Sequence, residues 1–254
     1  MPATWVVLYY HSIPKEKRPG FSRQMDVLSR RSTPVGADAQ LSGPPAGRYV
    51  SVTFDDAYQN VLENALPELA KRKIPATLFM VSDCLGRNPS WEDYSALGDP
   101  AMNEPLLTEG QLRTMPRDLV QIGSHTRTHP MLPQLSEQEA RNELSQSRAR
   151  LQEILQRDVT LFSFPYGAFN EDLIEWCRDA GYEKVFTTIP GLASASGSDF
   201  AVGRVAVDPD NSPLEFSLKL SGAYRWWPYA IALKKKFAPT RRAQAYEKGS
   251  ALSR

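Results

Sequence analysis

The sequence is poor in cysteine. Only Cys84 and Cys177 occur among 254 residues, and they do not share a C-x-x-C spacing. A disulfide framework needs several cysteines, and a cysteine metal site needs closely spaced pairs. The sequence therefore favours two reduced packing residues over a disulfide or a metal pair.

Long hydrophobic runs are also missing. No stretch approaches the roughly 18 to 20 apolar residues that a membrane-spanning helix needs. The first apolar run, within MPATWVVLYYHSI, has no basic region before it and no small-residue cleavage site after it, which is typical of a buried strand rather than a signal peptide. These features favour a cytoplasmic protein that does not span a membrane.

A charge excess of either sign is missing as well. The formal net charge is +1, with 41% hydrophobic and 23% charged residues, so no bulk charge attracts nucleic acid. A chain of 254 residues is long enough for one large domain. We predict a single domain over residues 1–212 and a C-terminal extension over residues 213–254.

Seven short apolar runs predict buried strands. They are Trp5–Tyr10, Tyr49–Phe54, Thr77–Val81, Val120–Ser124, Thr160–Phe164, Lys184–Thr188 and Phe200–Val207. Helical patterns alternate with several of them, which favours parallel strands with helices outside. The pattern predicts an α/β fold, either an open doubly wound sheet or a closed barrel, and seven strands favour an irregular barrel in a single domain.

Three helical patterns and two loops complete the predicted architecture. Ser136–Arg157 begins with a capping box of Ser136 and Glu139, and Tyr58–Arg72 contains Pro67, which must kink the helix or start a new segment. A third helix is predicted after Asn170. The segments Arg18–Gly47 and Gly86–Thr108 are predicted to be loops because they are polar and contain proline.

Chemically active side chains fall at the predicted C-terminal ends of the strands. These are His11 after the first strand, Asp55 and Asp56 after the second, His125 and His129 after the fourth, Pro165 and Tyr166 after the fifth, and Arg204 on the seventh. In α/β barrels this rim is where catalytic groups collect. We therefore expect these residues to share one site.

The segment HTRTHP holds two imidazoles four residues apart, which can reach one metal ion from a helical turn or a tight loop. VTFDDAY adds adjacent carboxylates, so that one can bind the ion while the other faces the substrate. Local spacing alone does not require a metal, because the two histidines can be a surface accident and Asp56 can cap the following helix. Their joint position at strand ends favours a metal site with an open position for water.

VTFDDAY, GSHTRTHP and FSFPYG occur in this order and spacing, and together they resemble the first three motifs of the polysaccharide deacetylase family, the NodB-homology carbohydrate esterases. The resemblance covers roughly Leu8 to Val207. It implies a distorted (β/α)7 barrel and a divalent metal, usually Zn²⁺. It also implies that Asp56, His125 and His129 are the metal ligands and that Asp55 is the general base.

The third motif implies two further roles, and it also departs from the family. The resemblance makes the Tyr166 backbone amide an oxyanion donor and lets Pro165 shape the substrate groove. The arginine that commonly opens this motif is missing, because Leu161–Ser163 offers no cation. Arg204 is the replacement candidate, with an ordinary surface ion pair as the alternative.

The late Leu-x-His motif, which supplies the general acid in the family, is also missing, because no histidine follows His129. His11 is the remaining candidate for the acid. Two alternatives stay open: His11 can be a hydrogen-bonded histidine in a strand-to-loop turn, and Asp55 can itself deliver the proton that it removed from water. The YHSI segment around His11 resembles a subgroup of these enzymes that acts on exopolysaccharides.

The resemblance implies a hydrolase that cleaves N-acetyl groups from the sugars of an acetylated glycan. Two alternatives remain open. One is a C–N hydrolase of small cyclic amides on the same fold, and the other is a carbohydrate-binding protein without catalysis.

The extension over residues 213–254 carries nine Lys or Arg and two Glu, hence a formal charge of +7. Its aromatic residues include Trp226, Trp227, Tyr229 and Phe237. Basic and aromatic residues together suit peripheral contact with anionic lipid. The alternative is that these aromatics cover the barrel.

Overall fold

The fold is seen in a computed structural model that describes residues 3–40, 47–89, 103–194 and 196–226. Within these residues, nine strands form one sheet. They are β1 (Thr4–Tyr10), β2 (Thr33–Pro34), β3 (Arg48–Phe54), β4 (Ala76–Met80), β5 (Val120–Ser124), β6 (Leu161–Ser163), β7 (Lys184–Thr187), β8 (Ala201–Gly203) and β9 (Val205–Ala206). All strand pairings among them are parallel.

The order of the strands closes the sheet into a barrel. The order is β8-β7-β6-β5-β4-β3-β1-β9, with β2 attached to β3. Only Arg204 separates β8, which pairs with β7, from β9, which pairs with β1. One short stretch of chain therefore joins both ends of the sheet, and the prediction of a distorted (β/α)7 barrel is confirmed.

Six α-helices accompany these strands in the described residues. They are α1 (Arg18–Arg31), α2 (Leu66–Arg72), α3 (Glu109–Arg113), α4 (Glu137–Leu155), α5 (Glu171–Asp179) and α6 (Pro213–Leu220). The capping box of Ser136 and Glu139 at the start of α4 is confirmed, and Asn170 caps α5 by accepting the Leu173 amide. Pro67 lies in the first turn of α2, after a π-helical turn at Val61–Ala65, so it starts a new segment.

The prediction of a loop over Arg18–Gly47 is wrong for Arg18–Arg31, and residues 41–46 of that segment lie outside the described residues. Helix α1 occupies its first part, with Pro19 in the first turn, where a missing amide hydrogen costs nothing. Phe21, Met25 and Leu28 are buried on one face at helical spacing. Their burial outweighs the polar composition of the segment.

The hydrophobic core has two parts, because strand side chains alternate between the two faces of the sheet. The outer part, under the helices, takes Val6 and Leu8 from β1. The inner part fills the barrel and takes Trp5 and Val7 from the same strand.

The remaining predictions concern loops, cysteines and the C-terminus. Cys84 and Cys177 are both free, and Cys177 is buried in the core. Residues 90–102 of the predicted Gly86–Thr108 loop and residues 227–254 of the extension lie outside the described residues. Phe216 and Leu220 of α6 join the main core, and the domain boundary at residue 212 stays a prediction. Among the described helices, none is both long and apolar enough to cross a membrane.

Candidate metal centre and catalytic site

Parallel pairing brings the C-terminal ends of the strands to one rim. The register sets Tyr10 of β1 beside Phe54 of β3, so His11 and Asp55 leave neighbouring strands at the same level. The Asp55 amide donates to the Tyr10 carbonyl over 3.0 Å and fixes this arrangement. Further along the sheet, Ser124 of β5 pairs with Phe162 of β6, which places His125 level with Ser163.

Asp56, His125 and His129 form a buried cluster whose ligand atoms all lie within 4.8 Å of one another. Asp56 Oδ1 is 3.3 Å from His129 Nε2 and 3.5 Å from His125 Nε2. In the part of the chain that the structure describes, this buried oxygen has no hydrogen-bond partner. Burying an unsatisfied carboxylate oxygen is costly, and a cation between the three side chains would remove that cost. The residues therefore fit a metal ion.

The electrostatics of the cluster suit metal ligands. His125 Nδ1 donates to the Ser163 carbonyl over 2.8 Å, since a carbonyl can only accept, and this leaves Nε2 unprotonated toward Asp56. Burial lowers the pKa of His125 to about 4, so the ring is neutral near pH 7. Burial raises the pKa of Asp56, but its contact with His129 lowers it more, and the net pKa lies well below its usual range.

The backbone at the rim is left-handed at several non-glycine positions. These are Asp56 (φ 63°), Ala57 (φ 57°), Thr126 (φ 68°), His129 (φ 64°) and Tyr166 (φ 58°). Such conformations cost energy for residues with a Cβ atom, and they concentrate at functional sites. Glycine at position 57 would relieve this strain, and this chain accepts the strain with alanine.

Asp55 binds a fully buried arginine, Arg204, which lies 149 residues later in the chain. Arg204 Nη1 donates to Asp55 Oδ1 and Nη2 to Oδ2, both over 2.7 Å. Burial alone raises the pKa of Asp55, but the Arg204 charge and its hydrogen bonds lower it, and the net pKa lies below the ordinary value. Because Arg204 is 0% exposed, the alternative of an ordinary surface ion pair is excluded.

Arg204 has further polar and aromatic partners in the barrel. It donates to Ser163 Oγ over 2.7 Å and to Thr53 Oγ1 over 3.2 Å. Its guanidinium lies 4.6 Å from the centre of the Tyr9 ring. A planar cation with several fixed donors is well suited to orient a carboxylate.

The structure brings the other predicted residues to the same rim. His11 is exposed and directly follows β1, at the level where Asp55 follows β3. The Tyr166 ring packs edge-on against the His129 ring at a centroid distance of 4.6 Å. Pro165 is buried beside Tyr166. The catalytic and binding roles of these residues stay predictions.

Sequence reasoning missed Ser163 as a site residue. Its carbonyl orients His125 and its hydroxyl accepts from Arg204, so one residue touches both halves of the site. A signal was present, because Ser163 is a polar residue in a buried apolar strand just before Pro165.

Fold and site together define an α/β barrel with a candidate metal centre at the carboxyl ends of its strands. A family model described as polysaccharide deacetylase matches residues 42–185, and the chain belongs to the polysaccharide deacetylase family. The putative polysaccharide deacetylase YxkH of Bacillus subtilis (strain 168) is 30% identical over 234 residues, covering 88% of this chain and 76% of that protein.

One further relative is named for its substrate, and another has a solved structure. A poly-beta-1,6-N-acetyl-D-glucosamine N-deacetylase of Staphylococcus aureus (strain MSSA476) is 24% identical over 164 residues, covering 64% of this chain. The chain spans only 56% of that protein. The solved structure of IcaB from Ammonifex degensii is 27% identical with a TM-score of 0.69, covering 87% of this chain and 97% of that chain.

Proposed function

We propose that this protein is a metal-dependent hydrolase that removes acetyl groups from N-acetylated sugars of a poly- or oligosaccharide, in the biosynthesis of a cell-surface or exopolysaccharide. The observation that carries the proposal is the Asp56–His125–His129 cluster beside an Asp55 that Arg204 holds. The named activity of the staphylococcal relative supports the substrate class.

The donor set favours Zn²⁺ as the ion. One carboxylate and two neutral imidazoles are common zinc ligands, and three protein ligands leave a coordination position open. A bound divalent ion would polarise the acetyl carbonyl and lower the pKa of water toward about 7.

Asp55 is the proposed general base. Its lowered pKa keeps it ionised near neutral pH and makes it a weak base, so it removes a proton only from water that has been made acidic. Arg204 fixes both carboxylate oxygens, so Asp55 meets that proton in one orientation. Because the buried Arg204 guanidinium binds Asp55, the missing arginine of the third motif does not argue for a protein without catalysis.

The other predicted residues complete the proposed mechanism. The Tyr166 amide would donate to the oxyanion that develops on the acetyl carbonyl, which its position against His129 supports. Pro165 would shape the groove beside it. His11, exposed on the rim near both carboxyl groups, would protonate the departing sugar amine.

An acetate-release screen tests the proposal. We expect acetate from N-acetylated oligosaccharides, including β-1,6-linked N-acetylglucosamine oligomers, and about one Zn²⁺ per chain by metal analysis. Asp55→Asn should abolish most activity and keep the metal. Release only from O-acetylated glycans, turnover only of small cyclic amides, or full activity after exhaustive chelation would each show that the proposal is wrong.

We also propose a cytoplasmic location with contact between the extension and anionic lipid, which would bring the enzyme to lipid-linked glycans. The support is an apolar pair on α6: Leu214 is 71% exposed, and Leu218, one turn later, is 43% exposed. The basic and aromatic residues beyond position 226 lie outside the described residues.

A further inference from the structure

The backbone between the two histidines is held in a costly conformation. Thr126 has φ 68° and His129 has φ 64°. Positive φ is unfavourable for any residue with a Cβ atom, and most of all for a β-branched residue such as Thr126. The four-residue step from His125 to His129 therefore depends on contacts from outside the loop.

Helix α4 provides these contacts through Glu143, which is only 8% exposed. Glu143 Oε2 accepts the backbone amides of Arg127 over 2.8 Å and Thr128 over 2.9 Å. Its Oε1 accepts the Thr128 hydroxyl over 2.9 Å. Hydrogen bonds to an ionised carboxylate are roughly twice as strong as those between neutral groups. One side chain thus fixes the loop between the two imidazoles.

The same helix face holds the start of the loop. Ser147, one turn after Glu143, donates to the Thr126 carbonyl over 2.9 Å and shares a hydrogen bond of 2.7 Å with Ser124. Glu143 and Ser147 on α4 thus both contact the segment that carries the two histidines.

We infer that Glu143 is a positioning residue that sets the separation and orientation of His125 and His129 for metal binding. The inference rests on the proposed function, since it requires these histidines to be ligands. Without the carboxylate, the amides of Arg127 and Thr128 lose their partner and the loop can relax from its left-handed conformation. His129 Nε2 would then no longer be held 3.3 Å from Asp56.

The experiment compares metal binding by wild type, Glu143→Gln and Glu143→Ala. Zn²⁺ affinity is measured by competition with a chromophoric chelator, and ligand geometry by the absorption spectrum of the Co²⁺-loaded protein. We expect both variants to bind Zn²⁺ about 10- to 100-fold more weakly, which is usual when an outer-shell partner of a metal ligand is lost. We also expect an altered Co²⁺ spectrum.

Glu139→Gln is the matched control. Glu139 lies one turn earlier on α4, is exposed, and hydrogen-bonds to Ser136 at the start of the helix. This change should lower helix stability and leave Zn²⁺ affinity and the Co²⁺ spectrum unchanged. Denaturation of each metal-free protein separates loss of fold from loss of site geometry.

Two outcomes would overturn the inference, and a third variant serves if the Glu143 variants do not fold. Zn²⁺ affinity within twofold of wild type and an unchanged Co²⁺ spectrum in Glu143→Gln would overturn it and leave the proposed function intact. No Zn²⁺ or Co²⁺ binding by wild type would overturn both. If neither Glu143 variant folds, Thr128→Val, which removes only the hydroxyl that Glu143 Oε1 accepts, makes the same comparison at an exposed position.

Discussion

At the scale of single residues, we propose that the ion pair between Asp55 and Arg204 replaces an interaction that the third motif lacks. Removing Arg204 leaves Asp55 buried without its main countercharge. Burial raises the pKa of this carboxyl and Arg204 lowers it, so the loss of Arg204 moves the pKa upward. The charge of the base therefore becomes dependent on pH in a range where wild type stays ionised.

We predict that Arg204→Met shifts the acid limb of the kcat/KM profile to higher pH by about 1 to 3 units. Activity at weakly acidic pH falls and recovers as the pH rises toward neutrality. Arg204→Lys keeps the positive charge but cannot donate to both Asp55 oxygens in the same way, so the acid limb should shift less than in Arg204→Met. An acid limb of Arg204→Met that coincides with wild type would contradict this assignment.

His11 supports a second prediction at this scale. His11→Ala should keep fold and metal and lose roughly 10²- to 10⁴-fold in kcat on an N-acetyl substrate, the usual size of a general-acid contribution. The loss should shrink for an acetyl ester with a good leaving group, since a phenolate scarcely needs protonation. If amide and activated ester lose turnover equally, or neither does, Asp55 delivers the proton instead.

At the scale of secondary structure elements, a charge network joins α1 to α2. Glu68 on α2 accepts from Arg18 Nη2 and Ser22 Oγ on α1, each over 2.8 Å. It also accepts from Arg72 Nη1 over 2.8 Å within α2. The contact with Arg72 is the largest reason that the pKa of Glu68 falls from 4.5 to about 2.

We predict that Glu68→Gln lowers the free energy of unfolding by about 1.5 to 3 kcal/mol at neutral pH, the range for hydrogen bonds to a charged group. The pKa of Glu68 is lower in the folded state, so its contribution is fully present above about pH 4.5 and disappears toward about pH 2. Urea denaturation between those values should show the two proteins converging. Glu63→Gln, at an exposed residue of the preceding turn, is the control and should show little difference at either pH. A constant gap across this range would contradict the role of Glu68.

Helix α1 shows why one element was missed by sequence reasoning. Pro19 and Gly20 and the many polar residues of this segment are typical of a loop. Its apolar residues Phe21, Met25 and Leu28 do follow helical spacing, so the signal was present but sparse. Gly20 has a tertiary reason that no local pattern contains: a Cβ atom there would lie 2.5 Å from the Pro209 carbonyl oxygen.

At the scale of the whole molecule, the strand pattern favoured a barrel over an open sheet and predicted the rim on which its polar residues meet, and the motifs that resemble the family specified the distorted barrel. The partnership of Asp55 and Arg204 joins residues 149 positions apart, and no spacing rule specifies it. Glu143 is harder still, because in sequence it is one acidic residue among several on a polar helix. Its function depends on α4 facing the loop after β5, which is a property of the fold.

The last prediction concerns the surface around α6 and the extension. Full-length protein should co-sediment with vesicles containing anionic phosphatidylglycerol and remain in solution with phosphatidylcholine alone. Each Lys near such a surface contributes about 1 kcal/mol, so Lys234→Glu, Lys235→Glu and Lys236→Glu together should weaken binding at least about 100-fold. Leu214→Ser with Leu218→Ser should weaken it about 10-fold or more, since each exposed Leu loses apolar area that lipid could cover.

Ile189→Ser is the matched control for the leucine pair, because Ile189 is also exposed (47%) but lies after β7, outside α6 and the extension. It should sediment like wild type. If the lysine triple variant sediments as wild type does, lipid contact is wrong. The alternative, in which the aromatic residues of the extension cover the barrel, then predicts that Trp227→Ala and Tyr229→Ala lower thermal stability without changing sedimentation.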